Sequence, residues 1–372
     1  MDKMMLVYLG NPNSEAYVNL ALPATAWELL DVQDRLRLED GVKPYWEISE
    51  YFGFESLASI LTEDCDLNEL NALTETLSKL NKGQRMAFEG LVQMDVDKKD
   101  GVITVPRLID LAASADCCHI LPEVITDEEL GRFYADNGFL PELEHLPDNL
   151  YNALDYGKIG HEQRTAEGGV FTDGGYVVQH SDLAEVHQNM DFTLETPDYQ
   201  ILMETADGQK IKLPTEEPLP ESFSRCLDCR IPALSAVIER EPDADHINFF
   251  AQQLSEIKGS MPFTFKAMLE NMPCETLEQA EQYLDQIDHF MLDRKVASVR
   301  DLALSEINFM VGGGEEAELL AKYTDLYAYG NAILQRDNAV ISGYGHLVRD
   351  DYQPLMSPLE STSTEEMEIK MQ

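Results

Sequence analysis

Sixty-nine aspartates and glutamates stand against only twenty-seven lysines and arginines, which leaves the chain at a net charge of −42. A soluble domain stays in solution with far less, and self-repulsion opposes the compact state as charge grows. So large an excess calls for a reason, and the clearest is a strongly positive partner. The commonest positive surfaces in a cell grip nucleic acid. B-DNA carries one negative charge per roughly 1.7 Å of axis, so this excess matches about 70 Å of duplex, or about 21 base pairs. The charge points to a protein that presents itself as DNA does.

The acidity does not come from disorder. Apolar residues make up 44% of the 372 residues and aromatics 8%, values of a chain with a core. The length predicts two or three domains. The opening MDKMMLVYLG has no signal-peptide hydrophobic region, and no run of 18 apolar residues occurs. Six scattered cysteines lack a secretory context. These features predict a cytoplasmic protein with reduced thiols.

A repeat runs through the chain. Leu70, Asn71, Leu77, Ser78, Leu80, Phe88 and Leu91 align with Ile247, Asn248, Leu254, Ser255, Ile257, Phe265 and Met268, always 177 residues apart. Tyr156-Gly157 is echoed by Tyr329-Gly330, and both lead into Gly-rich extended segments, Gly168 to Val178 and Gly343 to Val348. Charge divides evenly: residues 1–180 hold 33 acids and 13 bases (−20), and residues 181–372 hold 36 and 14 (−22). The expected organisation is a first half over 1–180 (1–62 α/β, 63–100 helical, 101–180 α/β), a linker over 181–198 with His187 exposed in it and His180 exposed at its edge, a second half over 199–350, and a flexible acidic tail over 351–372.

Local patterns fill in these halves. Met5 to Leu9, Tyr17 to Leu22, Gln200 to Glu204 and Gln209 to Leu213 read as strands. Thr25 to Arg37 reads as a helix burying Trp27, Leu29, Leu30 and Leu36. Leu67, Leu70, Leu73, Leu77 and Leu80 recur at helical spacing, which gives one core-facing stripe. Thr126 and Glu129 form a capping box that opens a helix, and Asn137-Gly138 ends it. The fold class is therefore α+β, an elongated string of small α/β and α-helical subdomains.

A surface that substitutes for phosphate needs its carboxylates arrayed outward. Taken as one helix, Glu275 to Met291 places Glu278, Glu281, Asp285 and Asp288 within about 80° of one another, at rises of about 4.5 to 6 Å. No lysine or arginine lies between Lys266 and Arg294 to offset their repulsion. Further clusters are Glu63, Asp64, Asp66 and Glu69; Asp127, Glu128 and Glu129; Glu142, Glu144 and Asp148; Glu239, Glu241, Asp243 and Asp245; and Glu315, Glu316 and Glu318. Catalysis needs two or three carboxylates converging in a cleft. These are many and spread along both halves, so they are assigned to partner binding.

Patterns for other chemistry are weak. Asp95 to Ile103 resembles a calcium loop, but Asp100 and Gly101 take positions 6 and 7 and Pro106 takes position 12, so a tight turn is the better reading. Cys226-Leu-Asp-Cys229 is a single CxxC with no second pair. Cys117-Cys118-His119 reads as packing. Gly312-Gly313-Gly314 precedes Glu315 and Glu316, which would repel a nucleotide phosphate. No HExxH or GxSxG occurs. No cofactor, no metal and no catalytic residues are expected.

The stretch Asp66-Leu-Asn-Glu-Leu-Asn71, continuing through Leu77, Leu80 and Ala87-Phe88-Glu89 to Leu91, resembles the central helical segment of ArdA-type antirestriction proteins. The resemblance covers residues 4–180 and, more faintly, 199–350, which would make the chain two divergent ArdA-like halves in tandem. It implies a non-enzymatic mimic of double-stranded DNA, encoded by mobile genetic elements such as those spread by conjugation, that occupies the DNA groove of type I restriction–modification enzymes. Family members are about half this length and form dimers, so the resemblance implies either a monomeric pseudo-dimer or a homodimer. The alternative is an acidic regulator or chaperone of a basic mobile-element protein such as a relaxase or recombinase. Neither reading involves direct nucleic-acid binding or a membrane.

Overall fold

The computed structural model describes residues 2–39, 41–61, 65–96, 103–143 and 146–358, with the side chains of Asp148 and Asn149 left aside. The chain is α+β, with four small antiparallel sheets among the described residues. Strands β1 (Met5–Gly10), β2 (Tyr17–Leu22) and β3 (Tyr45–Tyr51) form a sheet of order β2-β1-β3, with helix α1 (Ala26–Leu36) between the second and third. Helices α2 (Leu67–Ser78), α3 (Lys82–Val96) and α4 (Val105–Ala113) follow. Then come β4 (Cys118–Pro122), α5 (Asp127–Asp136), α6 (Asp148–Tyr151), α7 (Tyr156–Glu167), β5 (Val170–Thr172) and β6 (Gly175–Gln179), in a sheet of order β4-β6-β5.

The same order then recurs. Strands β7 (Ile201–Glu204), β8 (Lys210–Leu213) and β9 (Arg225–Cys229) pair as β8-β7-β9. After the short α8 (Ser235–Arg240) come α9 (Ala244–Glu256), α10 (Met261–Asn271), α11 (Leu277–Asp285), β10 (Phe290–Asp293), α12 (Val299–Val311), α13 (Glu315–Tyr323), α14 (Leu326–Asp337), β11 (Val340–Ser342) and β12 (Gly345–Arg349). The last sheet is again β10-β12-β11. The loop 214–224 stands where the first pass has α1.

The residues of the repeat do the same work in both passes. Leu70 and Ile247, Leu77 and Leu254, Phe88 and Phe265, and Leu91 and Met268 are all buried. The Asn71 Oδ1 accepts the Ala24 N–H at 2.7 Å while its Nδ2 donates to the Ala24 carbonyl at 3.1 Å. Asn248 clamps Thr215 in the same way, at 2.8 and 3.0 Å. In each case the clamped residue follows a Leu-Pro pair at the end of the second strand, so the asparagine satisfies backbone groups that have just left the sheet. Ser78 and Ser255 each donate to the carbonyl three residues back, at the end of their helices.

One pairing is corrected. Asp155 and Asp325 cap α7 and α14, and Gly168 and Asn338 close them in the left-handed region, all 170 residues apart. The counterpart of Gly330 is therefore Gly160, not Gly157. A Cβ on Gly160 would lie 1.8 Å from the Asp127 carbonyl oxygen, and one on Gly330 would lie 2.2 Å from that of Val299, whereas Gly157 meets only a side-chain oxygen at 3.5 Å. The two close-approach glycines let α7 pack on α5 and α14 on α12.

The described residues fall into two compact units. One contains those within 1–8, 19–24 and 46–194, the other those within 9–18, 25–45 and 195–372. The division at 194/195 lies inside the expected linker. Residues 25–45, read from the sequence as part of the first half, belong to the second unit. There the Trp27 N–H donates to Asp228, and Tyr344 donates its hydroxyl to Asp31 at 2.9 Å. Helix α1 matches its predicted span and carries the capping box of Thr25 and Glu28, but it buries Asp31 and Val32 where Leu30 had been expected.

The stretch read as a linker is also more ordered than expected. The carboxylate of Asp110 on α4 accepts the N–H groups of Val186 and His187 at 2.7 and 3.0 Å and faces His187 Nδ1 at 2.8 Å, while Ser114 Oγ accepts the Ala184 N–H. Residues 184–187 thus form a strap on the first unit. His187 is held there and only partly exposed, and His180 stacks on His119 with ring centroids 4.2 Å apart. Among the described residues no helix is long and apolar enough to cross a membrane.

Candidate acidic interaction surface

The bases explain how the acids come to dominate the outside. Arginine carries five N–H donors in a rigid fork, and many of those forks here are spent on the protein's own carbonyls, while Arg132, Arg225, Arg240, Arg300 and Arg336 stay exposed. Arg37 donates to the Val296 carbonyl, Arg85 to Leu80, Arg230 to Leu254, Arg240 to Ala236 and Arg294 to Asp34. Arg349 is buried and reaches Asp351 and the Pro354 carbonyl. Lys266, also buried, lies 2.6 Å from Asp31 and 2.8 Å from Asp34. Cations used to tie loops and neutralise interior acids cannot balance the surface.

Most of the carboxylates assigned from the sequence are exposed. Asp66, Glu128, Glu129, Glu142, Glu239, Asp243, Asp245, Glu278, Asp285, Asp288, Glu315, Glu316 and Glu318 face solvent. Several also cap helices: Asp66 opens α2 with Glu69, Glu129 opens α5 with Thr126, and Asp243 opens α9. The N–H of Ile125, then Thr126, hold the Glu129 carboxyl below the usual range. Glu315, Glu316 and Glu318 occupy the first turn of α13, where the helix dipole favours anions.

Others are engaged. Asp127 takes a two-pronged contact from Arg164, at 2.8 and 3.2 Å, and Glu128 pairs with Arg132. Glu241 and Glu281 converge on His246, at 3.4 Å from Nδ1 and 3.2 Å from Nε2. Burial opposes the imidazolium, but the two carboxylates outweigh it and raise the His246 pKa. Glu63, Asp64 and Glu144 lie outside the described residues, as does the side chain of Asp148.

The wheel drawn over 275–291 is corrected. Helix α11 stops at Asp285, a 3₁₀ turn covers Ile287–His289, and β10 begins at Phe290. Asp288 therefore sits on the turn, and Glu281 is turned toward His246. Glu278 and Asp285 remain outward on the helix itself. The physical reason is the β-forming run Phe290–Asp293, which pairs with β12 and ends the helix before its fourth acid.

The other motifs carry little chemistry. The calcium-like loop lies outside the described residues from 97 to 102, and Asp95 at its start is buried against Arg107 at 2.9 Å. Burial pushes the Cys226 thiol up to about 12 and raises that of Cys229 as well, so this CxxC is held protonated. Among the described residues no three His, Cys, Asp or Glu side chains are placed to hold a metal ion. One acidic group escaped the sequence reading: Glu55, Glu89 and Asp173 line a cavity of about 490 Å³ in the first unit. No spacing links residues so far apart.

No family model matches the chain, and no curated protein matches it.

Proposed function

We propose that the protein is a mimic of double-stranded DNA, of the ArdA-like antirestriction kind, and that it occupies the DNA groove of a type I restriction–modification enzyme or a comparable DNA-binding defence protein. The observation that carries this reading is the division of labour between charges. Arg37, Arg230, Arg294, Arg349 and Lys266 are turned inward to carbonyls and buried acids, and carboxylates at the start of α2 and on α5, α9, α11 and α13 are left facing solvent. The recurrence of one element order supports two related halves in tandem, acting within one chain as a pseudo-dimer. No step of chemistry is needed: the carboxylates replace phosphates as partners for the enzyme's lysines and arginines.

Binding of this kind exchanges counterions and weakens with salt, with log K falling by about 0.9 per phosphate-like contact for each decade of salt. The test is a DNA cleavage assay with a type I restriction enzyme over a salt series. Cleavage is expected to be blocked at low salt and restored at high salt. The triple substitution Glu315→Gln, Glu316→Gln, Glu318→Gln is expected to flatten the salt slope. Full cleavage at every salt concentration, together with tight capture of a relaxase or recombinase, would reject the reading in favour of a chaperone of such a protein.

A further inference from the structure

The two units differ at one equivalent place. Glu89 on α3 and Lys266 on α10 hold the same position in the repeat, each just after a buried phenylalanine and two residues before a buried Leu91 or Met268. Each faces the turn of its unit's last hairpin, through Asp173 in one case and Tyr344 in the other.

In the second unit this place is filled. The Lys266 ammonium is held by Asp31 and Asp34 of α1 and lies 5.8 Å from the centre of the Tyr344 ring. Helix α1 lies over the site, with Arg35 against Glu270 at 3.6 Å and stacked on Tyr344 at 4.7 Å.

Among the described residues the place is open in the first unit. Phe54, Val92 and Phe171 wall the cavity, and Glu55, Glu89 and Asp173 supply three carboxylates with no cation among its described lining residues. No described residue bonds to Glu89; burial, then Asp173 and Glu55, push its carboxyl up. The three acids are not spaced as a metal cage. Apolar walls beside separated carboxylates suit a long cationic side chain, whose stem packs while its head is bonded. A second copy of this chain is a poor occupant, since both copies carry −42.

We infer that this cavity is an anchor site for a lysine or arginine borne on a helix of a partner protein, lying over Glu89 as α1 lies over Lys266 in the second unit. The inference rests on the cavity and its filled counterpart and does not depend on DNA mimicry.

The test uses the full chain and a synthetic amphipathic helical peptide with a leucine stripe and arginines. Controls are the same peptide with citrulline for arginine, and spermidine. The arginine peptide is expected to bind, and citrulline or Glu89→Gln to weaken it about tenfold, as loss of a buried anchor does. Glu89→Lys, which installs the lysine of the second unit, is expected to abolish binding. Glu315→Gln with Glu316→Gln should leave it unchanged. Circular dichroism checks folding, and Glu89→Gln carries the test if Glu89→Lys fails to fold.

The inference is overturned by absence of peptide binding, by an equal loss in the Glu315/Glu316 variant, by spermidine binding as tightly as the peptide, or by self-association that Glu89→Lys breaks. Restriction inhibition is a separate readout, so either proposal can fail alone.

Discussion

At the scale of single residues, the acids divide by what surrounds them and not by their type. Asp110, fully within the first unit, differs from the exposed Glu316 because three donors converge on it. Burial works against its charge, but the N–H and ring of His187 and the N–H of Val186 outweigh burial, and its carboxyl sits below the ordinary range. A depressed carboxylate contributes stability above its unfolded value near 4, and that contribution is lost as pH falls through the lower folded value. Asp110→Asn is therefore expected to release the strap 184–187 and destabilise the unit by about 2 kcal/mol. Urea unfolding at neutral pH measures the loss, and faster protease cleavage within 182–190 reports the release. An unchanged cleavage pattern would show that the strap is held by something else. Asp110 gave no sign in the sequence, since its donors lie 76 and 77 residues away.

Several elements were legible where a local device sets them. The capping box at Thr126, the leucine stripe of α2, the helix from Thr25 to Arg37 and the strands read over Met5 to Leu9 and Tyr17 to Leu22 stand where the sequence places them, because caps and periodicity act within a few residues. Helix α11 was overrun because its end is dictated by pairing of β10 with a strand more than fifty residues on. The helix pair α5 and α7 makes a sharper test. Gly160→Ala pushes a methyl into the Asp127 carbonyl and is expected to cost about 3 kcal/mol by overpacking. Gly157→Ala, three residues away on the same helix, is expected to be neutral or to stabilise by about 0.5 kcal/mol through helix propensity. Thermal melts of the two variants should separate clearly; equal melts would mean the helices are not in close contact.

At the scale of the whole molecule, the unit boundaries do not follow the order of the chain. Helix α1 supplies Asp31 and Asp34 to Lys266, an acceptor to Tyr344 and the Trp27 N–H to Asp228. A chain restricted to 195–372 would lose both carboxylates paired with Lys266 and would uncover the face that α1 lies over. A domain holds only about 5–15 kcal/mol of stability against such losses. This fragment is expected to lose near-ultraviolet circular dichroism, and fusion of residues 25–45 to it should restore the signal. A fragment that folds unaided would show that α1 is dispensable to the second unit.

Read alone, the amino-acid order determined the net charge, the α+β class, the starts of α1, α2 and α5 and the recurrence of one pattern, because each depends on composition or on neighbours within a few turns. Tertiary structure alone decided which carboxylates stay in water and which meet Arg164, His246 or Lys266. It also decided that α1 serves the second unit, and that Glu55, Glu89 and Asp173 share one cavity. Those outcomes depend on desolvation and on partners tens to hundreds of residues distant, and no local spacing encodes either.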